Sequence, residues 1–285
     1  MTMKAVENAL AKASASVKKG WKAYRENWRK VVWAFAVIFA FALFETALDI
    51  ANRFSPLFSL FRIGAGLSGA LVLLSIAVAI LSWLVSHLIT LSVMRPLYEM
   101  VSGKKEISEW RSLVRGQILN TVKVIAVRFA AGLIIMIPFG VWLLANVGVF
   151  GALMKSDLSA GSMLALFGGS LLLLIPVLAV VLALAFIVNL LLTFFEVELV
   201  IAGRGAGAAV KASVALAKAN VGSVLAYNLV WSVLGIAIAI ASVLACLTCI
   251  LLPVVIVVGP LVVQPVQQSS LIALWMDLKK VKKQN

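Results

Sequence analysis

Three groups of residues in this chain have types and spacings that could do chemistry. Glu45 and Asp49 lie four residues apart in an apolar run, and Arg53 follows four further on. On a helix this spacing puts all three on one face. The layout suits a cation or proton site opening outward. It equally suits a self-neutralising ladder, with Asp49 paired to Arg53, that closes a helix end. Gln264, Gln267 and Gln268 share a second helical face beside Pro265, which has no backbone N–H to donate. Amides next to a broken turn can line a solute pathway, and they can also bond neighbouring helices together. Cys246 and Cys249 form a Cys-x-x-Cys pair, the spacing of thiol redox enzymes. The chain has only these 2 cysteines, so no second pair can relay electrons, and packing in an apolar helix is the expected role.

The remaining polar candidates are single residues. His87, flanked by Ser86 and Thr90, is the only histidine, and a hydrogen-bonded packing role is expected. Arg128 follows Lys123 by five residues, within reach of a charged surface by snorkelling. Glu196 and Glu198 lie near Arg204, where capping or pairing is expected. Gly203-x-Gly205-x-Gly207 follows an apolar helix rather than a strand, so the geometry that cradles phosphate is missing. With 1 His and 2 Cys the chain cannot build a Cys/His metal cluster by itself. No catalytic residue, metal site, cofactor or enzymatic activity is expected.

The elements that must position these residues follow from composition. Of 285 residues 63% are hydrophobic and only 13% charged, with a mean hydropathy of +1.11. A soluble domain carries about 25% charged residues, so this chain cannot coat a water-facing surface. The expected fold is an all-α, polytopic membrane protein. A span needs about 20 apolar residues, and six segments qualify: 31–51, 66–94, 121–149, 164–200, 221–250 and 254–276. The last two are separated only by a tight turn around Pro253.

The net charge of +14 sorts by segment. Residues 1–30 carry eight Lys and Arg, 95–123 six, 201–220 three, and the tail 277–285 four. The opposite loops hold only Arg53, Arg62 and Lys155. Because Lys and Arg are retained on the cytoplasmic face, both termini are expected inside, in the plasma membrane. The basic excess then marks topology and not nucleic-acid binding. The long basic start of the chain, with no small-residue cleavage site after 31–51, is expected to be an uncleaved anchor.

The cytoplasmic segments have amphipathic patterns of their own. Val6, Leu10, Val17, Trp21, Tyr24 and Trp28 fall on one helical face of residues 1–30, and Lys12, Lys19, Lys22 and Arg29 fall mainly opposite. Ile107, Trp110, Leu113, Val114 and Ile118 repeat the pattern, and Val210, Val214 and Ala217 do so more mildly. Such helices lie in the membrane interface or cap the spans. Lys18, Lys19, Lys22, Arg25, Arg29, Lys104, Lys105, Arg111, Arg115, Lys211 and Lys218 are the expected contacts to anionic lipid headgroups. Each segment precedes two spans, and Asn27, Asn120 and Asn220 align in register, which suggests a threefold repeat of interface helix and hairpin.

The run FFEVELVIAGRGAGAAVKASVALAKANVGSVLAYNLV, residues 194–230, resembles the membrane domain found with some glycerophosphodiester phosphodiesterases. It is also similar to related uncharacterised six-span prokaryotic proteins. Glu198, Gly203, Gly205, Ala209, Lys211, Ser213, Lys218 and Asn220 carry the likeness, and 95–123 matches it only loosely. The resemblance implies a helical membrane scaffold and brings no catalytic residues. The leading expectation is therefore a membrane scaffold in contact with anionic lipids, with self-association open. The alternative is a small-solute or ion transporter with its pathway between the hairpins.

Overall fold

The computed structural model describes residues 3–45, 65–147, 160–248 and 259–284, and every regular element among them is a helix. Helix α1 is Met3–Asn27, and a 3-10 turn, Trp28–Lys30, leads into α2, Val32–Glu45. The α1–α2 pair bends by 83° at this turn. Helix α3 is Ala65–Ser102, α4 Trp110–Ala145 and α5 Ala160–Leu191. The short α6, Phe195–Val200, and α7, Ala206–Ala219, precede α8, Val221–Thr248. A π turn, Gly259–Val263, opens α9, Gln264–Gln284.

Four stretches are long and apolar enough to cross a membrane: Val72–Ser102, Trp110–Ala145, Leu172–Val200 and Val221–Ala241. The bent α1–α2 pair gives a fifth if taken as one span. Their outer faces stay apolar, with Leu73 at 70% and Leu144 at 75% exposure. A water-soluble bundle does not leave so wide an apolar belt uncovered. The chain is thus an all-helical protein suited to the membrane. Of the six expected spans, the first is described only as Val32–Glu45 and the last only from Gly259; the Pro253 turn lies outside the described residues.

The charged connections gather at one end of the bundle. Helix α3 stops at Gly103, whose φ of +77° suits a residue without a Cβ. The Lys104 N–H reaches Glu99 O at 3.0 Å and the Gly103 N–H reaches Met100 O at 3.1 Å, which together close a Schellman cap. The Glu99 carboxylate, 4% exposed, then fixes the connector by accepting the Ser108 N–H at 2.7 Å and its hydroxyl at 3.0 Å. No separate interface helix forms at 107–118. The helix begins at Trp110 and runs unbroken through Asn120 into the span, because no proline or cap interrupts its backbone ladder before Pro138. Asn27 and Asn220 behave differently, since each sits where one helix stops and another starts. Each donates its side-chain amide to a carbonyl four residues back, Ala23 O at 3.3 Å and Leu216 O at 3.0 Å.

Between α5 and α6 the chain breaks at residues 192–194. Buried Ser213 on α7 holds this elbow, donating to Leu191 O at 2.8 Å and accepting the Phe194 N–H at 3.2 Å. Ser213 is among the residues that carry the resemblance, so part of that pattern has a local structural role.

The packing of α1 uses a face other than its bulky apolar one. Its buried face is Ala9, Ala13, Ser16, Gly20 and Ala23, spaced alternately four and three residues apart, with Tyr24 beside it. These small residues let α1 lie against α9 almost backbone to backbone, whereas Val6, Leu10, Trp21 and Trp28 stay 42–44% exposed. A Cβ at Gly20 would lie 2.7 Å from Ser270 Cα and 2.9 Å from the Ser269 carbonyl carbon. The Gly20→Ala variant is therefore expected to lose about 1–3 kcal/mol by overpacking against an unyielding backbone. Gly116→Ala, in an open position of α4, is expected to be neutral or to gain up to about 1 kcal/mol from helix propensity. Thermal unfolding of the two variants in detergent checks the contrast, and equal melting temperatures would remove the close crossing.

Candidate functional site

Polar side chains that stand far apart in sequence meet in one cavity of about 690 Å³. Helix α3 contributes Ser86, His87 and Thr90, α4 Arg128, α5 Asn189, and α6 Glu196. Helix α8 adds Tyr227, Asn228 and Ser232, and α9 adds Gln264, Gln267 and Gln268. Thr90 lies five residues, about 7.5 Å at 1.5 Å rise per residue, from Arg95 on α3, and Ser232 lies eleven residues, about 17 Å, from the start of α8. Polar groups within long apolar helices are retained where they face a cavity or a partner.

The charged element of the cavity is an ion pair between α4 and α6. The Arg128 guanidinium donates Nε–H to Glu196 Oε1 at 3.0 Å, and an Nη2–H to the same oxygen. Arg128 is 51% exposed at its side chain and Glu196 16%, so the pair borders open space. Thus Arg128 is bonded across the bundle to a carboxylate 68 residues away, and not merely extended toward a surface. His87 lies on the same wall, its Nδ1–H donated to Trp83 O at 3.0 Å and its ring 4.8 Å from the Trp83 ring. This bond occupies Nδ1 and leaves Nε2 as the second polar atom of the ring.

On α9 the backbone is irregular where the glutamines begin. Pro265 cannot donate to Leu261 O four residues back, and the Tyr24 hydroxyl of α1 donates to that carbonyl instead. Burial pushes the Tyr24 phenol above its ordinary pKa and keeps it a donor. Tyr227 donates to Gln267 O at 2.7 Å, so α8 and α9 are tied at the cavity wall. Among the described residues, Gln268 Oε1 is buried without a hydrogen-bond partner.

The three glutamines are therefore brought together, but Glu45 is not among the cavity residues. It ends α2, half buried, and Asp49 and Arg53 lie outside the described residues. Cys246 lies within α8, and Cys249 is outside the described residues. Sequence reasoning passed over Asn189, Asn228, Ser232 and Tyr227. The signal was present, since an Asn within a long apolar run is costly unless it has a task.

Glu198 has a different setting from Glu196. It is 1% exposed and accepts from Trp275 Nε1 at 2.8 Å and from Lys279 Nζ at 2.9 Å, with Arg204 Nε at 3.5 Å. Lys279 also sits 4.2 Å over the Trp275 ring. Of the expected headgroup contacts, Lys19 is half buried and pairs with Asp277 at 3.7 Å. Lys104 lies 4.0 Å from Glu99, and Arg29 and Arg111 stack 5.7 and 5.8 Å over Trp28 and Trp110. Lys18, Lys22, Arg25, Lys105, Arg115, Lys211 and Lys218 are exposed.

No family model, curated protein or solved structure matches this chain.

The two glutamates differ in a measurable way. Glu198→Gln removes the charge from a buried, fully engaged acceptor and is expected to cost roughly 1.5–3 kcal/mol. Glu196→Gln breaks a half-exposed pair and is expected to cost under about 1 kcal/mol. Thermal unfolding of both variants measures the difference, and a larger loss for Glu196→Gln would reverse the assignment of clamp and cavity.

Proposed function

We propose that this chain is a six-span integral membrane protein of the plasma membrane, with both termini cytoplasmic, that binds a small solute in the polar cavity and passes it between its helices. The supporting observation is the convergence of hydroxyl, amide, imidazole and ion-paired groups from six helices on one cavity, inside a bundle whose outer face is apolar. A scaffold needs no such convergence, because its spans can be joined by apolar packing alone. The role is non-enzymatic, in keeping with the resemblance of 194–230 to a membrane domain without catalytic residues.

A second reading has its own support. Val6, Leu10, Trp21 and Trp28 are exposed on α1 next to the exposed Lys18, Lys22 and Arg25. Bulky apolar residues and indoles beside cations suit a helix at headgroup depth, and each cation near an anionic surface contributes about 1 kcal/mol. Lipid contact by α1 and solute passage through the bundle are compatible. Retention of anionic lipid through purification, lost when Lys18, Lys22 and Arg25 become Gln, is the mark of the surface role.

Accessibility tests the principal reading. Ser232→Cys, in a chain whose Cys246 and Cys249 are replaced by Ser, is expected to react with a small hydrophilic thiol reagent in intact membranes. Adding Gln264→Leu, Gln267→Leu and Gln268→Leu is expected to slow that reaction at least tenfold by drying the cavity. A Ser232→Cys thiol that never reacts in folded protein would overturn the proposal.

A further inference from the structure

The charge inventory of the cavity restricts what it can hold. Among the described residues its lining contains one cation, Arg128, and one carboxylate, Glu196, and these are bonded to each other. The pair carries no net charge, so no uncompensated charge remains for an ion that has shed its water. A bare ion entering here exchanges a hydration shell for amides and hydroxyls whose dipoles point both ways. A zwitterion meets the same obstacle, because its ammonium and carboxylate find charged partners only by opening the Arg128–Glu196 pair.

The rest of the lining has a different chemistry. Gln264, Gln267 and Asn189 each carry an amide donor and acceptor, and Asn228 does so with one N–H already given to Val224 O at 2.9 Å. Ser86, Thr90 and Ser232 each present a hydroxyl that does both, and Thr193, whose hydroxyl donates to Asn189 O and Leu190 O, offers an acceptor. Neighbouring hydroxyls on a carbon skeleton, each donor and acceptor at once, suit such a lining. Gln268 Oε1, buried without a partner, is an acceptor that a solute hydroxyl can satisfy once the amide turns toward the cavity. At about 690 Å³ the cavity lies within the range of small-molecule sites. A monosaccharide-sized molecule fits with several waters, each taking about 30 Å³.

We propose that the cavity selects an uncharged polyhydroxylated solute, of polyol or monosaccharide class, and rejects ions and zwitterions because its one ion pair is internally satisfied. This inference rests on the cavity being a solute pathway. Helices α4 and α6 supply the selectivity through Arg128 and Glu196, and α9 supplies the hydrogen bonds through its glutamines.

The test is flux through the full chain reconstituted in vesicles. The probes are myo-inositol and glucose, alanine as zwitterion, and potassium and chloride as ions. Expected are myo-inositol and glucose entry at least tenfold above protein-free vesicles, indifference to an imposed membrane potential, and no acceleration of the other probes. Arg128→Gln leaves Glu196 unneutralised and is expected to admit potassium at least tenfold faster. Glu196→Gln leaves Arg128 unneutralised and is expected to do the same for chloride. Either variant suffices if the other fails to fold. Acceleration of alanine or ions but not of the uncharged probes would overturn the solute class and leave the pathway standing. If no probe moves, the pathway falls and the solute class falls with it. If both charge variants fold and keep the selectivity of the parent chain, charge balance is not the selecting device.

Discussion

A carboxylate that is 1% exposed needs charged or hydrogen-bonding partners, and Glu198 has recruited them from two parts of the chain. Burying a charge in an apolar surrounding is tolerated only when it is paired and hydrogen-bonded. Here Trp275 and Lys279 come from α9, and Arg204 comes from the connector before α7. Tyr98 at the end of α3 joins by its edge, its ring 6.3 Å from that of Trp275 at 77°. This cluster fixes the position of α9, and much else follows from α9. One side of that helix presents the glutamines to the cavity, and its serine side meets the small residues of α1.

The cavity follows from the same constraint of satisfaction, met in a different way. The Arg128–Glu196 pair joins α4 to α6 at a cavity wall, and the amides of α5, α8 and α9 lie around it. Glu198 is closed off by its partners, whereas Glu196 keeps open space beside it. Two glutamates two residues apart on one short helix thus have opposite tasks, and the direction of the side chain decides which is which. One holds the fold and the other borders the site.

Much of the architecture was legible in the sequence. Long apolar runs need no tertiary information, and the middle of each described span falls where hydropathy put it. What was illegible depends on pairing across the bundle. His87, Arg128 and Glu196 each look like isolated polar residues until the fold sets them on one cavity. The packed face of α1 was not legible because amphipathicity weighs bulky apolar residues. A crossing this close selects for small ones, and Ala9, Ala13, Ser16, Gly20 and Ala23 carry little hydrophobic signal. The basic, amphipathic stretch at 107–118 promised a separate helix, but nothing between Trp110 and Asn120 interrupts the backbone hydrogen bonds that run into the span.

The bond from Tyr24 to Leu261 joins residues 237 positions apart, and it fills the gap that Pro265 leaves in the backbone of the last helix. Close packing and this bond act on the same pair of helices, so a change that loosens either one weakens the other. The two ends of the described chain are in that sense one unit of stability, and the order of the cavity wall on the last helix depends on the first.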